Sequence, residues 1–287
     1  MYPEAILGTA NFINPYGLNA KGLNKNDINY ILQSAWDNNF RGIDTAADYI
    51  NVQKVLAGSE NFKKNNWRLT TKIPKRKNKQ PLREFKEILQ AFIEETRQML
   101  GKEIIDTILV HDPAIFSDEQ EKLLITEVLI TAREREHVKN IGFSVYETLA
   151  PSEMSNLYRE FNNLIIQCPF SIFDRRFEES INKYSFFCSF QARSIFLQGL
   201  LLQHEHYINK FKRSNELDNF KNWLEDNGLS AYEACVSFVK FSLAKEQVIG
   251  FNSEREIEEF RTVFDNAKPI KPIVFCSDEK ILNPLNW

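Results

Sequence analysis

An alternation of short apolar runs with helical patterns, repeated eight times along the chain, narrows the choice of fold more than any other feature. The runs are rich in Ile, Val, Leu and Phe and are mostly continuous, which is typical of strands buried on both faces of a parallel sheet. The predicted strands cover residues 5–11, 42–46, 68–73, 107–112, 140–146, 164–170, 187–196 and 247–252.

The segments between these strands carry the spacing of amphipathic helices. Apolar residues recur three and four positions apart between residues 28 and 36, with Asn24 or Asn26 as the predicted cap. A second helix follows Pro81 and ends at Gly101, a residue type that commonly terminates helices. A last helix is predicted over residues 257–264.

Eight strand–helix units in 287 residues predict an α/β protein with the closed (β/α)8 TIM barrel fold, for which about 250 residues is typical. An open doubly wound sheet is the competing fold, but its Gly-x-Gly-x-x-Gly turn is missing from the segment 7–12, Leu-Gly-Thr-Ala-Asn-Phe. We therefore predict one barrel domain over residues 1–287. The long connection before the eighth strand is predicted to be a helical insertion, around residues 200–245, near the active face.

The composition limits the partners that the chain can have. It is 43% hydrophobic and 26% charged, its formal net charge is −3 and its basic residues are spread, so neither nucleic acid nor an anionic membrane is implied. No secretory leader is recognisable, and no run approaches the roughly 18 apolar residues that a membrane-spanning helix needs. We predict a cytoplasmic protein that is a monomer or a weak homo-oligomer.

Three groups of residues that can carry chemistry are predicted to be structural. The four cysteines have no paired close spacing, so we expect reduced thiols. The basic stretch 75–79 is predicted to be a solvated loop. His204 and His206 are interpreted as neighbours on a polar helix, and no metal site is expected.

Ionisable residues stand near the ends of three consecutive predicted strands. Asp44, Lys72 and His111 belong to the second, third and fourth strands, and Tyr49 follows in the loop after the second. Active sites of (β/α)8 barrels lie at the C-terminal ends of the strands. An Asp that closes a strand is often a helix cap and a lone His is often a core residue, but joint placement at three adjacent strand ends favours a common site.

These four side chains suit the reduction of a carbonyl group, which needs a hydride and a proton. Tyr49 is the predicted proton donor, because the ammonium of Lys72 is expected to lower the pKa of the phenol from its unperturbed value of about 10. Asp44 is predicted to hold Lys72 in place and keep it charged. His111 is predicted to donate a hydrogen bond to the substrate oxygen and help to orient it.

The four residues and their local motifs resemble the aldo-keto reductase family over nearly the whole chain. Gly-Ile-Asp-Thr-Ala around Asp44, Thr-Thr-Lys ending at Lys72 and Val-His-Asp around His111 match the family's local motifs. Tyr49 falls on the fourth catalytic position. The resemblance implies an NADPH- or NADH-dependent reductase of aldehydes or ketones on a (β/α)8 barrel, with these four residues as the catalytic set.

The same resemblance implies which residues hold the cofactor, NADP(H) or NAD(H). Ser144, in Ile-Gly-Phe-Ser, and Gln167 match the positions that bond the nicotinamide carboxamide. Gly8, Thr9 and Ala10 match the first-strand loop that lies along the cofactor. The other implied cofactor-binding residues are Asp44, Arg193, Ser194, Phe196, Gln198, Gly199, Asn252, Ser253 and Glu256.

Arg193 departs from the family pattern, in which an aromatic residue usually stacks on the nicotinamide. Its planar guanidinium either stacks on the ring or binds a cofactor phosphate or a substrate carboxylate, and the sequence leaves both open. The form Arg-Ser-x-Phe-Leu-Gln-Gly-Leu-Leu that begins at Arg193 is similar to reductases of bacterial surface-polysaccharide gene sets. That similarity implies a sugar-derived carbonyl substrate.

A second departure concerns the choice between the two cofactors. Asn252 and Glu256 stand near the positions where NADP-dependent members usually place a Lys and an Arg, and a carboxylate suits a ribose hydroxyl better than a phosphate. We therefore predict a relaxed or NADH-leaning preference, although Arg255 could restore phosphate binding. Alternatively, Ser253-x-x-Glu256 is a capping box that only starts the last helix.

Two other functions remain compatible with the sequence. One is a cofactor-bound sensor or regulatory subunit on the same barrel with little turnover, which the altered cofactor segment allows. The other is a lyase or isomerase that uses Lys72 to form a Schiff base. Trp287, the last residue of the chain, either reaches the site or packs on the barrel.

Overall fold

Eight parallel strands form a closed barrel in the order β1 to β8 in the computed structural model, which describes residues 4–13, 22–49, 51–111, 118–203 and 214–283. Each strand pairs with its neighbour in the chain, and β8 closes the barrel against β1. The strands are β1 Glu4–Gly8, β2 Gly42–Asp44, β3 Arg68–Lys72, β4 Ile105–Val110, β5 Val138–Ser144, β6 Ile165–Pro169, β7 Ser189–Arg193 and β8 Glu246–Ile249.

Helices alternate with the strands around the barrel. Asn24 caps the first helix by accepting hydrogen bonds from the backbone N–H groups of Asn26 and Asp27, and Gly101 ends the fourth in the left-handed conformation with a φ of 61°. The helices are α1 Lys25–Asp37, α2 Val52–Gly58, α3 Glu60–Lys63, α4 Leu82–Leu100, α5 Glu119–Glu134, α6 Pro151–Phe161, α7 Glu178–Tyr184, α8 Asn215–Asn227, α9 Ala231–Lys240, α10 Glu254–Asn266 and α11 Glu279–Leu282.

The barrel confirms the predicted fold class, and each predicted apolar run overlaps one of the eight strands. The predicted strands 5–11 and 187–196 were too long. β1 ends at Gly8 because Thr9 turns to bond the backbone oxygen of Asp44 through both its N–H and its hydroxyl. β7 ends at Arg193 because the chain enters the left-handed region at Ser194, where φ is 59°.

The strand residues that face the helices build the main hydrophobic core. Side chains two residues apart along a strand share a face, and this set is fully or almost fully buried. Its members include Leu7, Ile43, Leu69, Ile108, Ile141 and Ile166. Gly142 lets β5 approach β6, because an added Cβ would lie 2.1 Å from the backbone oxygen of Ile165.

The other face of the strands, toward the barrel axis, carries polar side chains that bond to one another across the barrel. Branched aliphatic residues usually fill this space in TIM barrels. The connected polar side chains are Glu4, Asp44, Arg68, Lys72, Gln167, Gln191 and Glu246. The polar interior therefore reaches from the last residues of β2 and β3 to the first residues of β1, β3 and β8.

The long connection between β7 and β8 contains α8 and α9, so it holds more than one helix, as predicted. Leucines of the 3-10 turn Leu197–Leu202 pack with α8 and α11 in a second hydrophobic cluster. Whether residues 200–245 form an insertion in a single domain stays a prediction. Predictions for Asp112, His204, His206 and Trp287 fall outside the described residues. Among the described helices, none combines the length and the apolar character needed to cross a membrane.

Candidate functional site

Asp44 and Lys72 form a buried ion pair where β2 and β3 end side by side. Lys72 Nζ lies 2.6 Å from Asp44 Oδ1 and 2.8 Å from Oδ2, and it also donates to the backbone oxygen of Thr45 at 3.2 Å. Both side chains are at most 4% exposed. Asp44 pairs with Thr70 in the parallel ladder, and Lys72 lies two residues further along β3 on the same face, beside Asp44 at the C-terminal end of the barrel.

Opposing effects act on the charge of Lys72. Burial lowers the pKa of the Lys72 ammonium from its ordinary value, the Asp44 carboxylate opposes that fall, and the charge of Arg193 adds to it. The ammonium is therefore less firmly protonated than a surface lysine and depends on Asp44 for its charge.

Tyr49 lies beside this pair. The Lys72 ammonium is 5.4 Å from the centroid of the Tyr49 ring, a distance at which a cation is attracted to the ring face. Backbone hydrogen bonds hold the loop that carries the tyrosine, because Ala47 N–H donates to Lys72 O at 3.0 Å and Tyr49 N–H donates to Ala46 O at 3.1 Å. The end of β3 thus positions both the lysine and the loop of the tyrosine.

His111, at the end of β4, faces an acidic neighbour. Its Nδ1 is 3.2 Å from Oδ2 of Asp48. Burial, followed by the charge of Lys72, lowers the pKa of His111, and Asp48 opposes this shift. A carboxylate only accepts hydrogen bonds, so Nδ1 carries the hydrogen in this contact and a neutral ring has an unprotonated Nε2.

A cavity of about 940 Å³ extends along the loops that follow β1, β7 and β8. Its volume lies near the upper end of the range for small-molecule sites, about 300–1,000 Å³. The predicted site residues that line it are Gly8, Ala10, Asp44, Tyr49, Gln167, Arg193, Ser194, Phe196, Gln198, Gly199, Asn252 and Glu256.

Five predicted site residues do not line this cavity. Lys72 lies behind Asp44, and His111 lines a neighbouring cavity of about 340 Å³ together with the basic loop 75–79. Thr9 and Ser144 are buried, and Ser253 caps α10 by accepting from the N–H of Glu256. The basic loop is mostly exposed, as predicted.

Arg193 lies on the cavity wall with its guanidinium already in contact with protein. It donates to the backbone oxygen of Val145 at 2.9 Å, and its central carbon is 4.2 Å from the centroid of the Tyr146 ring. These contacts fix the group at the end of β7, within electrostatic range of Lys72 and His111. Stacking on a ligand and binding an anion both remain open to it.

Asn11 is a cavity residue that the sequence reasoning missed. Its Nδ2 donates to Phe251 O at 2.7 Å and to Asn252 Oδ1 at 3.1 Å, which ties the loop after β1 to the loop after β8. Its Oδ1 is buried and has no partner among the described residues. The sequence signal that could have predicted Asn11 as a site residue is its position directly after the Gly-Thr-Ala segment.

Tyr232 is a second missed residue. It stacks on Phe196 with ring centroids 4.9 Å apart and an interplanar angle of 14°, and both rings line the cavity. Burial raises the pKa of Tyr232, and the nearby carboxylates of Glu259 and Glu256 add to this shift. Tyr232 belongs to α9 in the long connection, where no motif pointed to it.

The cavity wall near α10 is acidic. Asp27, Glu256 and Glu259 line it, and Arg193 is the one basic residue among the described lining residues. Glu256 accepts a hydrogen bond from the N–H of Asn252 at 2.7 Å instead of from the N–H of Ser253. Ser253 and Glu256 therefore form only half of the predicted capping box.

No group of three or more His, Cys, Asp or Glu side chains in the described part of the chain could hold a metal ion. The chemistry that the described residues offer is instead an acidic, amide-rich cavity wall next to a phenol and a buried ion pair.

The chain is similar to known proteins in sequence and in fold. The sequence model of the Aldo/keto reductase family matches residues 4–273. No curated protein sequence matches the chain. Among solved structures, the holo form of an aldo-keto reductase from Bacillus halodurans has a TM-score of 0.69 at 17% identity, over 93% of this chain and 88% of that chain.

The glycerol dehydrogenase from Gluconobacter oxydans has a TM-score of 0.66 at 18% identity, over 95% of each chain. At such identities, these two structures show the shared fold alone. The family match spans almost the whole chain and agrees with the closed barrel. The chain therefore belongs to the aldo/keto reductase family and is an NAD(P)-dependent oxidoreductase.

Proposed function

We propose that this protein reduces an aldehyde or a ketone to an alcohol with NADH or NADPH, and that Tyr49 donates the proton. The observation that carries the proposal is the buried Asp44–Lys72 pair beside the ring of Tyr49. Asp44 and Tyr49 both line the large cavity, so a ligand there lies next to both residues. The amide, carboxylate and aromatic groups of the lining suit a nicotinamide dinucleotide, which supplies the hydride when bound.

In this proposal, Lys72 assists the proton transfer from Tyr49. Loss of the phenol proton creates a phenolate, and the ammonium 5.4 Å from the ring centroid stabilises that negative charge. Asp44 keeps the ammonium charged against the effect of burial, and the backbone oxygen of Thr45 fixes its direction. A general acid that is matched to the working pH contributes about 10²–10⁴-fold to the rate.

His111 is proposed to orient the substrate oxygen. Since Nδ1 donates to Asp48 in the observed contact, donation from Nε2 to the substrate requires the imidazolium form. The lowered pKa of His111 makes that form scarce at neutral pH. We expect His111→Gln, which keeps an amide donor at every pH, to narrow the difference in kcat between pH 6 and pH 8.

Tyr49→Phe tests the assignment of the proton donor. We expect kcat for carbonyl reduction to fall by about 10²–10⁴-fold, with cofactor affinity little changed. Tyr146→Phe is the matched control, because it removes a hydroxyl near the site while keeping the ring under Arg193. A Tyr49→Phe protein that oxidises the cofactor at the wild-type rate in the presence of a carbonyl substrate would refute the assignment.

For the cofactor we propose a relaxed or NADH-leaning preference. The supporting observation is the acidic wall of Asp27, Glu256 and Glu259, because carboxylates accept hydrogen bonds from ribose hydroxyls and repel a 2′-phosphate. Arg255 is exposed and does not line the cavity. Comparable KM values for the two cofactors, or a lower one for NADH, agree with the proposal; a roughly hundredfold preference for NADPH contradicts it.

The substrate class is proposed to be a sugar-derived or polyol-derived carbonyl. The sequence around Arg193 supports it, and one structural neighbour is named a glycerol dehydrogenase. A panel of simple aldehydes, keto sugars and their acids would be compared by kcat/KM. Tight cofactor binding without turnover across the panel would instead favour a sensor or regulatory subunit.

The remaining proposals concern the state of the protein in the cell. The composition and spread charges support a cytoplasmic monomer or weak homo-oligomer, organised as one domain with a helical insertion around residues 200–245. Light scattering at two protein concentrations tests the oligomeric state, and a stable assembly that persists on dilution would contradict it.

A further inference from the structure

A chain of hydrogen bonds inside the barrel joins the candidate site to the opposite end of the strands. Gln167 Nε2 donates to Asp44 Oδ2 at 2.7 Å and to Gln191 Oε1 at 3.0 Å. Gln191 Nε2 in turn donates to Glu246 Oε2 at 2.7 Å. Both glutamines are only 1% exposed, so the hydrogen bond between them is shielded from water.

The two carboxylates at the ends of this chain set its direction. Asp44 pairs with Lys72, and Glu246 pairs with Arg68 at 2.9 Å, so each is held as an acceptor-only group. The amide atom that Gln191 turns toward Glu246 must therefore be Nε2. Gln191 Oε1 then faces Gln167, and Gln167 must donate a hydrogen bond to it through Nε2.

A glutamine amide has two N–H donors and one carbonyl oxygen. Asp44 and Gln191 take both donors of Gln167, and Gln167 lines the large cavity. Oε1 is the polar atom that remains for a ligand. The side chain is thus held as a hydrogen-bond acceptor, and an amide flip would set its oxygen against both the Asp44 carboxylate and the Gln191 oxygen.

We propose that Gln191 and Glu246 are positioning residues that fix Gln167 with its Oε1 toward the cavity, where it accepts a hydrogen bond from the NH₂ group of the nicotinamide carboxamide. This inference rests on the proposed function, since it needs a nicotinamide cofactor in the cavity. Gln191 and Glu246 lie beyond the cavity lining and act only through Gln167.

A cofactor analogue tests the direction of the amide. Reduced 3-acetylpyridine adenine dinucleotide carries a methyl ketone in place of the carboxamide and lacks the NH₂ donor. We expect the wild type to bind NADH more tightly than this analogue by roughly three- to tenfold, the worth of about one hydrogen bond. Equilibrium titration by fluorescence gives both dissociation constants without any need for turnover.

Glu246→Gln and Gln191→Met are the test variants. Glu246→Gln keeps the shape of the side chain, but its amide can donate as well as accept, so the hydrogen bonds can reverse their direction. Gln191→Met removes the hydrogen bonds of Gln191 while keeping the length of the side chain. In both, only the Asp44 contact still opposes a flip of the Gln167 amide, so the ratio of the two dissociation constants should fall part of the way toward one. Glu4→Gln is the matched control, because Glu4 pairs with the same Arg68 but stands outside the amide chain, and it should keep the wild-type ratio.

The outcomes separate this inference from the proposed function. Cofactor binding by the wild type with an unchanged ratio in both test variants overturns the positioning role alone. An equal loss of the ratio in Glu4→Gln also overturns it, because the effect would then come from the charge at the end of the barrel. A wild type that binds neither NADH nor NADPH overturns the proposed function and this inference with it.

Discussion

Replacing both partners of the buried Lys72–Asp44 pair is expected to cost clearly less stability than the two single replacements added together. Lys72→Met keeps the apolar stem and removes the ammonium, which leaves the Asp44 carboxylate buried without a counter-ion. Asp44→Asn keeps the shape and leaves the ammonium in the same position. The two groups are 2.6 and 2.8 Å apart and at most 4% exposed, so solvent cannot take the place of the missing partner.

The magnitude follows from the burial. Breaking a buried ion pair by removing one partner costs about 3–5 kcal/mol, most of which is the cost of the unpaired charge. If the two changes acted independently, the double variant would lose about 6–10 kcal/mol, the sum of the two single losses. It contains no buried charge at this place, however, and should fall short of that sum by about 2–3 kcal/mol, near the top of the range for residues in contact.

Urea unfolding at one pH measures this coupling in the wild type, the two single variants and the double variant. Tryptophan fluorescence and far-ultraviolet circular dichroism follow the unfolding. The exposed pair Lys63–Glu60 is the control, with its atoms 3.1 Å apart and its side chains 54% and 85% exposed. The cycle Lys63→Met with Glu60→Gln should show a coupling of at most about 0.5 kcal/mol. Additive losses at Lys72 and Asp44, or equal couplings for the two pairs, would refute the reasoning.

Three further outcomes are expected. Gly142→Ala should destabilise the fold by about 3 kcal/mol or more, because the added Cβ would lie 2.1 Å from the backbone oxygen of Ile165. Gly58→Ala should stabilise it by about 0.5–1 kcal/mol, because Gly58 is helical and its added Cβ would have no atom within 4 Å. The midpoint of urea unfolding measures both effects. The lowered pKa of His111 means that the unfolded chain binds its proton first, so stability should fall as the pH drops below 6.5, and His111→Asn should flatten that loss in thermal unfolding at pH 5 and pH 7.5. The four cysteines are buried, and burial raises the pKa of each thiol, for Cys188 and Cys276 to about 11, so an aromatic disulfide reagent should titrate them only after unfolding.

The barrel could be predicted because its strands are buried on both faces of the sheet or point into a confined interior. Such strands appear in the sequence as short apolar runs, and each run here overlaps one strand. Neighbouring parallel strands end at the same edge of the barrel, and Lys72 lies on the same face as Thr70, the partner of Asp44, which is why Asp44 and Lys72 could be expected to meet. Both steps depend only on local pattern and on the closed order of the strands.

The rest of the cavity depends on contacts between segments far apart in the chain. Asn11 donates a hydrogen bond to Phe251, 240 residues later, and no local sequence pattern predicts that these two residues meet. Tyr232 reaches Phe196 only because the long connection folds back over the end of the barrel. The contact between Asp48 and His111 likewise depends on how two loops approach each other.

The polar interior is better explained by chemistry than by stability. A buried ion pair roughly breaks even against apolar residues of the same volume, since the desolvation of both charges offsets their attraction. Branched aliphatic side chains fill this space in most barrels of this type. Here Lys72, Asp44, Gln167, Gln191 and Glu246 occupy it instead, and each bonds the next. These residues contribute little stability, but they fix the direction of every amide and charge up to the cavity wall. A proton-donating site requires such an arrangement, because its groups must be oriented before the substrate arrives.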